Sequence, residues 1–210
     1  MRTPKRRKVV FGLGLGGVLL VAWVARAEVI YEIDPAHTAA HFAVRHMMVS
    51  TVRGVMGKVT GTVYLDETDI TKSRVEAAVD ATEIDTRERK RDEHLRSPDF
   101  LDTARYPSIT FRSKKVIQLA PDKFRVIGDL TLKGVTKEIS LEAEGSPQPF
   151  TDPFGNTRLG GTVRTRIDRQ DFGVNFHKVM DNGGLLVGND VDITIDVELI
   201  RRKQPAAEPQ

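Results

Sequence analysis

The residues best suited to chemistry are concentrated in one run, RDEHLRSPDFLDTARYP (residues 91–107), where Arg91, Asp92, Glu93 and His94 fall within four positions. Asp92 and His94 are of the types that exchange a proton in general acid–base catalysis. No nucleophile accompanies them: the chain has no G-x-S-x-G elbow and no cysteine. Ser97-Pro98-Asp99 has the order of an N-cap, a first-turn proline and an acid favoured by the helix dipole. The order predicts a short helix starting there, anchored by Leu95, Phe100 and Leu101 and ended by Arg105-Tyr106-Pro107. In that arrangement Arg91 and Asp92 fix the segment rather than react.

Five histidines (His37, His41, His46, His94 and His177) raise the question of a metal. His37 and His41, with Met47 and Met48 nearby, are ligand types that suit copper. On a strand, however, His46 falls on the face opposite His37 and His41, and no H-E-x-x-H or similar ligand set is present. Neither a metal nor a cofactor is expected. His46 shares a face with Phe42 and Val44, where a lone imidazole is either a hydrogen-bonded core residue or a donor beside a ligand head group.

The elements that must position these residues are strands. Val191, Ile193, Ile195, Val197 and Leu199 alternate with Asp192, Thr194, Asp196 and Glu198, the pattern of a strand with one buried and one wet face. The same period places Val55, Val59, Gly61, Val63 and Leu65 on one face, and Val75, Ala77, Val79 and Ala81 on another. Phe124, Val126, Gly128, Leu130 and Leu132 turn through Lys133-Gly134 and return as Ile139, Leu141 and Ala143, a hairpin. Leu159, Gly161, Val163 and Ile167 mark a further strand, while 35–54 suits a helix or a strand on periodicity alone. Roughly eight strands with little helix between them predict an all-β, antiparallel eight-stranded barrel with a short helical connection around residues 86–104. The apolar faces carry Ala40, Gly61, Ala77, Ala81, Gly128, Ala143 and Gly161. A barrel of this size is filled by side chains or holds one small ligand. Small inward residues favour a cavity; bends and tapering ends are the other use for them.

The ends bound the partners and the compartment. A basic start, an apolar stretch from Val9 to Ala25 and an Ala25-Arg26-Ala27 exit form the layout of a secretory signal peptide over 1–27, with an uncleaved anchor as the alternative. Residues 1–27 hold six basic and no acidic residues, leaving 26 basic against 29 acidic in the remainder, a net charge of −3. The basic balance belongs to the leader, so nucleic acid is not an expected partner. An exported chain without cysteine has no disulfides and no lipobox. The expected location is the periplasm, with one domain over 28–201 and a disordered tail over 202–210.

YEIDPAHTAAHFAVRH, TEIDTRERKRDEHLRSPDFLD, ARYPSITFRSKKV, GDLTLKGVTKEISL and IDRQDFGVN together resemble, in order, the YceI family of mostly exported bacterial proteins. The resemblance runs from about Tyr31 to Leu199. It implies a lipocalin-like barrel, a strand over 38–48, and a hydrophobic pore of the kind in which members hold long isoprenoid or other amphipathic lipids. Three departures bear on the pore. Thr38 stands where serine is usual, Gly54-Val55-Met56-Gly57 where a phenylalanine-rich stretch is common, and Glu138 where proline is frequent.

The expected lining is Phe42, Val44, Val63, Val79, Leu95, Phe100, Phe111, Leu130, Ile139, Val163, Phe172 and Phe176, with His46 as the polar contact. The function expected is non-enzymatic: an exported protein that holds an isoprenoid or similar long-chain amphipathic lipid for carriage or sequestration. Two alternatives compete with it. One is an enzyme acting on such a lipid with His46 or His94 as base; the other is a filled barrel that binds a protein through an exposed patch or edge. Membrane association through the N-terminal segment and homodimerisation are further partners the sequence admits.

Overall fold

The computed structural model describes residues 28–146, 148–180 and 184–203. The leader expected over 1–27 and the tail from 204 onward lie outside them. Arg202, assigned to the tail, extends the sheet, its N–H donating to the Ile30 carbonyl at 2.8 Å.

Eleven strands form a single antiparallel sheet: β1 (Val29–Ile33), β2 (Ala39–His46), β3 (Ser50–Val55), β4 (Val59–Leu65), β5 (Arg74–Asp80), β6 (Ser108–Ala120), β7 (Lys123–Leu132), β8 (Val135–Gly145), β9 (Phe150–Thr151), β10 (Thr157–Asp168) and β11 (Val187–Arg201). Eight of them close a ring in the order β11-β1-β4-β5-β6-β7-β8-β10, because β10 pairs with β11 from Arg158↔Ile200 to Asp168↔Asp190. This is the expected closed eight-stranded barrel. The segment 39–46 is a strand: β2 continues along the edge of β11 where β1 stops, from Ala39↔Asp196 to His46↔Val187, and β3 folds back on it.

The period-two pattern fails at one expected strand. Residues 55–65 are not continuous: β3 ends at Val55 and β4 starts at Val59. Met56 N–H bonds the Ala40 carbonyl and Gly57 N–H the Asp80 carbonyl, which steps the chain from one partner to the next. The step reverses the local facing, so Val55 points outward at 37% exposure while Met56 joins Val59 inside.

The connection between β5 and β6 contains the one α-helix among the described residues, α1 (Arg89–Arg96). It starts eight residues before the expected N-cap. Glu88 is the cap, accepting from Arg91 N at 2.6 Å and Lys90 N at 3.3 Å. Ser97 ends the helix: its N–H and Oγ both bond the His94 carbonyl. The residue before a proline is pushed to extended backbone, so Pro98 stops this helix rather than starting one. Ser97 satisfies an orphan carbonyl at a C-terminus with the same hydroxyl that suggested an N-terminus.

The β7–β8 hairpin follows expectation, with Lys133 (φ 50°) and Gly134 (φ 77°) in a two-residue turn between Leu132 and Val135. A Cβ on Gly134 would lie 2.6 Å from Tyr106 Cε1. Gly134→Ala should therefore lower unfolding free energy by about 1–2 kcal/mol or more, from the left-handed backbone and the clash together. Urea unfolding with an unchanged m-value tests this, and an unchanged midpoint contradicts the turn's role.

Candidate functional site

The barrel encloses an elongated apolar cavity of about 420 Å³. The inward residues of β11 (Val191, Ile193, Ile195, Val197 and Leu199) all reach it, as do residues from every other strand of the ring. At one end it is bounded by Leu65, Ile70, Phe124 and Ser146, near the chain ends. At the other, Leu95, Phe100 and Leu101 from the α1 connection close over it beside Val174 and Val187.

Small residues serve both expected uses. Ala40, Ala77, Ala143 and Gly161 line the cavity and leave it open. Gly61 and Gly128 do not line it; a Cβ there would lie 2.3 and 2.4 Å from the neighbouring strand's Glu76 and Arg112 carbonyl oxygens. Phe42 lies over Gly54, its cross-strand partner, with ring carbon Cζ 2.5 Å from where a Cβ would stand. Met56 fills inward space in the stretch that lacks phenylalanine.

Ten of the expected lining residues face the cavity: Phe42, Val44, Val63, Val79, Leu95, Phe100, Phe111, Leu130, Ile139 and Val163. Three do not. Phe172, 2% exposed, is buried in the core cluster with Phe100 and Ile167. Phe176 stacks on Phe100 at a centroid distance of 4.8 Å. Both follow the end of β10, in a 3₁₀ turn and irregular chain, where strand alternation no longer assigns a face. His46 sits at the last pair of β2, opposite Val187, and is not in the wall. Sequence reasoning missed Arg169, which does reach the cavity at the α1 end. It is 5% exposed, and no carboxylate bonds it among the described residues. Its Nε donates to Gly188 O at 2.9 Å, Nη1 to Val174 O, and Nη2 to Val187 O and Asn189 Oδ1. Burial lowers its pKa from the usual arginine range. No periodicity marks such a residue, because its partners are backbone carbonyls distant in sequence.

The polar cluster at 91–107 is architecture. Asp92 is buried and accepts from Thr86 N at 2.9 Å and Thr86 Oγ1 at 2.5 Å. Arg91 donates through Nε to Thr86 Oγ1 and through Nη2 to Thr86 O. These bonds tie α1 to the chain just before it, where Asp85 bridges Val55 of β3, and Leu95 reaches the cavity. His94 bonds Asp99 at 3.0 Å and meets Phe100 and Phe176 edge-on. Among the described residues, the histidines with side-chain hydrogen bonds are His37 and His94; each pairs with an aspartate and neither faces the cavity.

One group of side chains has the types and closeness of a metal site: Asp34, His37 and Glu198, with ligand atoms within 4.8 Å of one another. A guanidinium already holds these carboxylates together. Arg158 lies 2.9 Å from Asp34 Oδ2 and 2.5 Å from Glu198 Oε1 through Nη1, and 2.6 Å from Asp152 Oδ2 through Nε. Arg158, Asp34 and Asp152 are each about nine-tenths buried. His37 Nδ1, 2.8 Å from Asp34, and the Arg158 guanidinium draw the Asp34 carboxyl down to about 2. Arg158 and the Asn156 and Phe154 N–H groups hold Asp152 well below the carboxylate range. The cluster ties the β1–β2 break to the β9–β10 turn and to β11.

The sequence pattern of the YceI-like domain matches residues 31–199. The chain belongs to the YceI-like family. A UPF0312 protein of Vibrio campbellii is 36% identical over 167 residues, covering 79% of this chain and 88% of its own. The crystal structure of Burkholderia cenocepacia BcnA superposes with a TM-score of 0.67 at 20% identity, over 79% of this chain and 98% of its own. A polyisoprenoid binding domain from Saccharophagus degradans, described as implicated in plant cell wall breakdown, has a TM-score of 0.60 at 14% identity. It covers 82% of this chain and 98% of its own. At these identities the two structures establish a shared fold.

Two outcomes follow for the polar clusters. Folded-state pKa values below the ordinary ones mean that Asp34 and Asp152 stabilise the fold fully above about pH 4, and that this is lost as pH falls toward about 2. Arg158→Met should therefore move the midpoint of acid unfolding upward, as followed by circular dichroism; an unmoved midpoint removes the cluster from that role. Asp92→Ala should cost about 1–3 kcal/mol by orphaning the buried Thr86 donors. It should also raise hydrogen exchange across α1 before the rest of the barrel.

Proposed function

We propose that this protein holds an isoprenoid or similar long-chain amphipathic lipid in the barrel cavity, for carriage or sequestration, after export to the periplasm by its 1–27 leader. The observation that carries this reading is the almost wholly hydrocarbon cavity of about 420 Å³ inside the barrel. Its size falls in the range of roughly 300–1,000 Å³ usual for small-molecule sites. The polyisoprenoid-binding description of the S. degradans domain, on the same fold, supports it.

The energetics suit a tail without a strong polar anchor. Burying a methylene contributes about 0.8 kcal/mol, so ten contribute roughly 8. The cost of immobilising ligand and ordering a flexible tail is several kcal/mol, which leaves a usable surplus. Head-group contacts then adjust selectivity rather than dominate affinity. The cavity also separates this reading from the protein-binding alternative, which requires a filled interior.

The test is organic extraction and mass spectrometry of protein purified from its native compartment without detergent. A near-stoichiometric, chemically unaltered lipid is expected, whereas a ligand-free protein or a lipid converted to product would overturn the reading. Val63→Trp and Val79→Trp place an indole into the cavity wall and should reduce lipid recovery at least ~10-fold, with unchanged far-ultraviolet circular dichroism. Full recovery from both folded variants counts against this cavity as the site.

A further inference from the structure

We propose that the β2–β3 hairpin tip, Met47-Met48-Val49, is a docking surface for an anionic lipid bilayer. This surface is independent of the ligand reading above and distinct from the N-terminal segment. The tip joins the two strands through a tight turn closed by Val49 N–H on the His46 carbonyl. Its central residues, Met47 (φ 50°) and Met48 (φ 62°), both adopt the left-handed backbone that Asn-Gly takes readily and methionine does not. The side chains so presented are exposed: Met47 by 42%, Met48 by 59% and Val49 by 79%. A turn that is unfavourable both in backbone and in solvent exposure is of the kind retained where the exposed groups have a use. Methionine is flexible and polarisable, and adapts to an irregular apolar surface.

The neighbourhood selects the partner. Met47 N–H bonds the Leu186 carbonyl, and Leu186 N–H the Lys178 carbonyl, so residues 178–179 and 185–186 lie beside the tip and add exposed Val179. Across residues 41–53, 173–180 and 184–189 there is no carboxylate; Asp181, in the intervening stretch, lies outside the described residues. The same segments carry exposed Arg45, Arg53 and Lys178, none in an ion pair among the described residues. Arg45 donates to the Met48 carbonyl at 2.7 Å and to Thr51 Oγ1 at 3.1 Å, which braces the strained turn. Apolar side chains with exposed Arg45, Arg53 and Lys178 on the same segments match a headgroup layer with anionic lipids. Two other exposed aromatics, Phe150 and Phe154, lie toward the opposite end of the barrel, where Asp66, Glu67, Asp69 and Asp122 are mixed with Lys72 and Lys123 and Asp69 pairs with Lys72. Val44 and Val187, beside the tip, line the cavity, so docking here brings its α1 end to the membrane.

The chain has no cysteine, so single labels report position cleanly on the full chain. An environment-sensitive fluorophore on Val49→Cys should shift to the blue with phosphatidylglycerol–phosphatidylethanolamine vesicles, and one on Phe154→Cys should not. The Val49 response should fall at least ~10-fold on phosphatidylcholine vesicles or in 0.5 M salt, as expected of the charge contribution. Adding Met47→Asn and Met48→Gly relaxes the turn, so the protein should become more stable while the response is lost. No shift at position 49, a shift at 154 instead, an equal response on phosphatidylcholine, or a response that survives the relaxed turn would each overturn the proposal. Lipid content of the cavity, measured by extraction, is a separate readout and fails or succeeds independently.

Discussion

Pairing of β10 with β11 over eleven residue positions is the contact on which the rest of the barrel depends. Each strand is half apolar, and a sheet with free edges would leave both the edges and one face in water. Closing the ring removes those edges and turns eight apolar faces onto a common interior. The length of β11 also lets one edge carry β1 near its end and β2 before it, so the break at Asp34–Thr38 does not open the wall. Interior small residues then leave the enclosed space unfilled, and a cavity is the consequence of closure plus side-chain size.

Polar groups are arranged so that this interior stays hydrocarbon. On the outer faces, cross-strand pairs such as Arg125–Glu142 and Arg166–Asp192 are solvent-exposed and contribute little each. Glu138 keeps its place in the β7–β8 ladder and pairs with Lys114. At the ends, charge is buried only where it is bonded: Arg158 among three carboxylates, Asp92 on Thr86, Arg169 on carbonyl oxygens. Arg169, like Asp92, is bonded without an ion pair among the described residues, and it lies at the margin of the cavity.

Such a wall offers a ligand shape and length to match rather than donors and acceptors. Dispersion and burial are non-directional, so a cavity of this kind tolerates variation along a tail. Leu95, Phe100 and Leu101 make the α1 connection a part of the wall that is not a strand. It is held by side-chain bonds to Thr86 and by the backbone bridge of Asp85 to Val55 of β3.

Alternation in the sequence by itself determined the barrel, the Lys133-Gly134 turn and most of the lining, because a strand's facing is set by local period alone. Phe42, Val63, Phe111 and Val163 were legible for that reason. What the period does not reach, the tertiary structure decided. The step at Met56–Lys58 depends on carbonyls of Ala40 and Asp80 that lie elsewhere in sequence. The helix at Arg89–Arg96 was misplaced because Ser97 serves a C-terminus or an N-terminus equally well until the chain's direction around Pro98 is known. Phe172, Phe176 and His46 lie where the ladder ends, so their facing is set by packing. Arg158 and Arg169 find some partners nearby, Asp152 and Val174, and others far off in sequence, Asp34 and Gly188, and no local pattern records the distant ones.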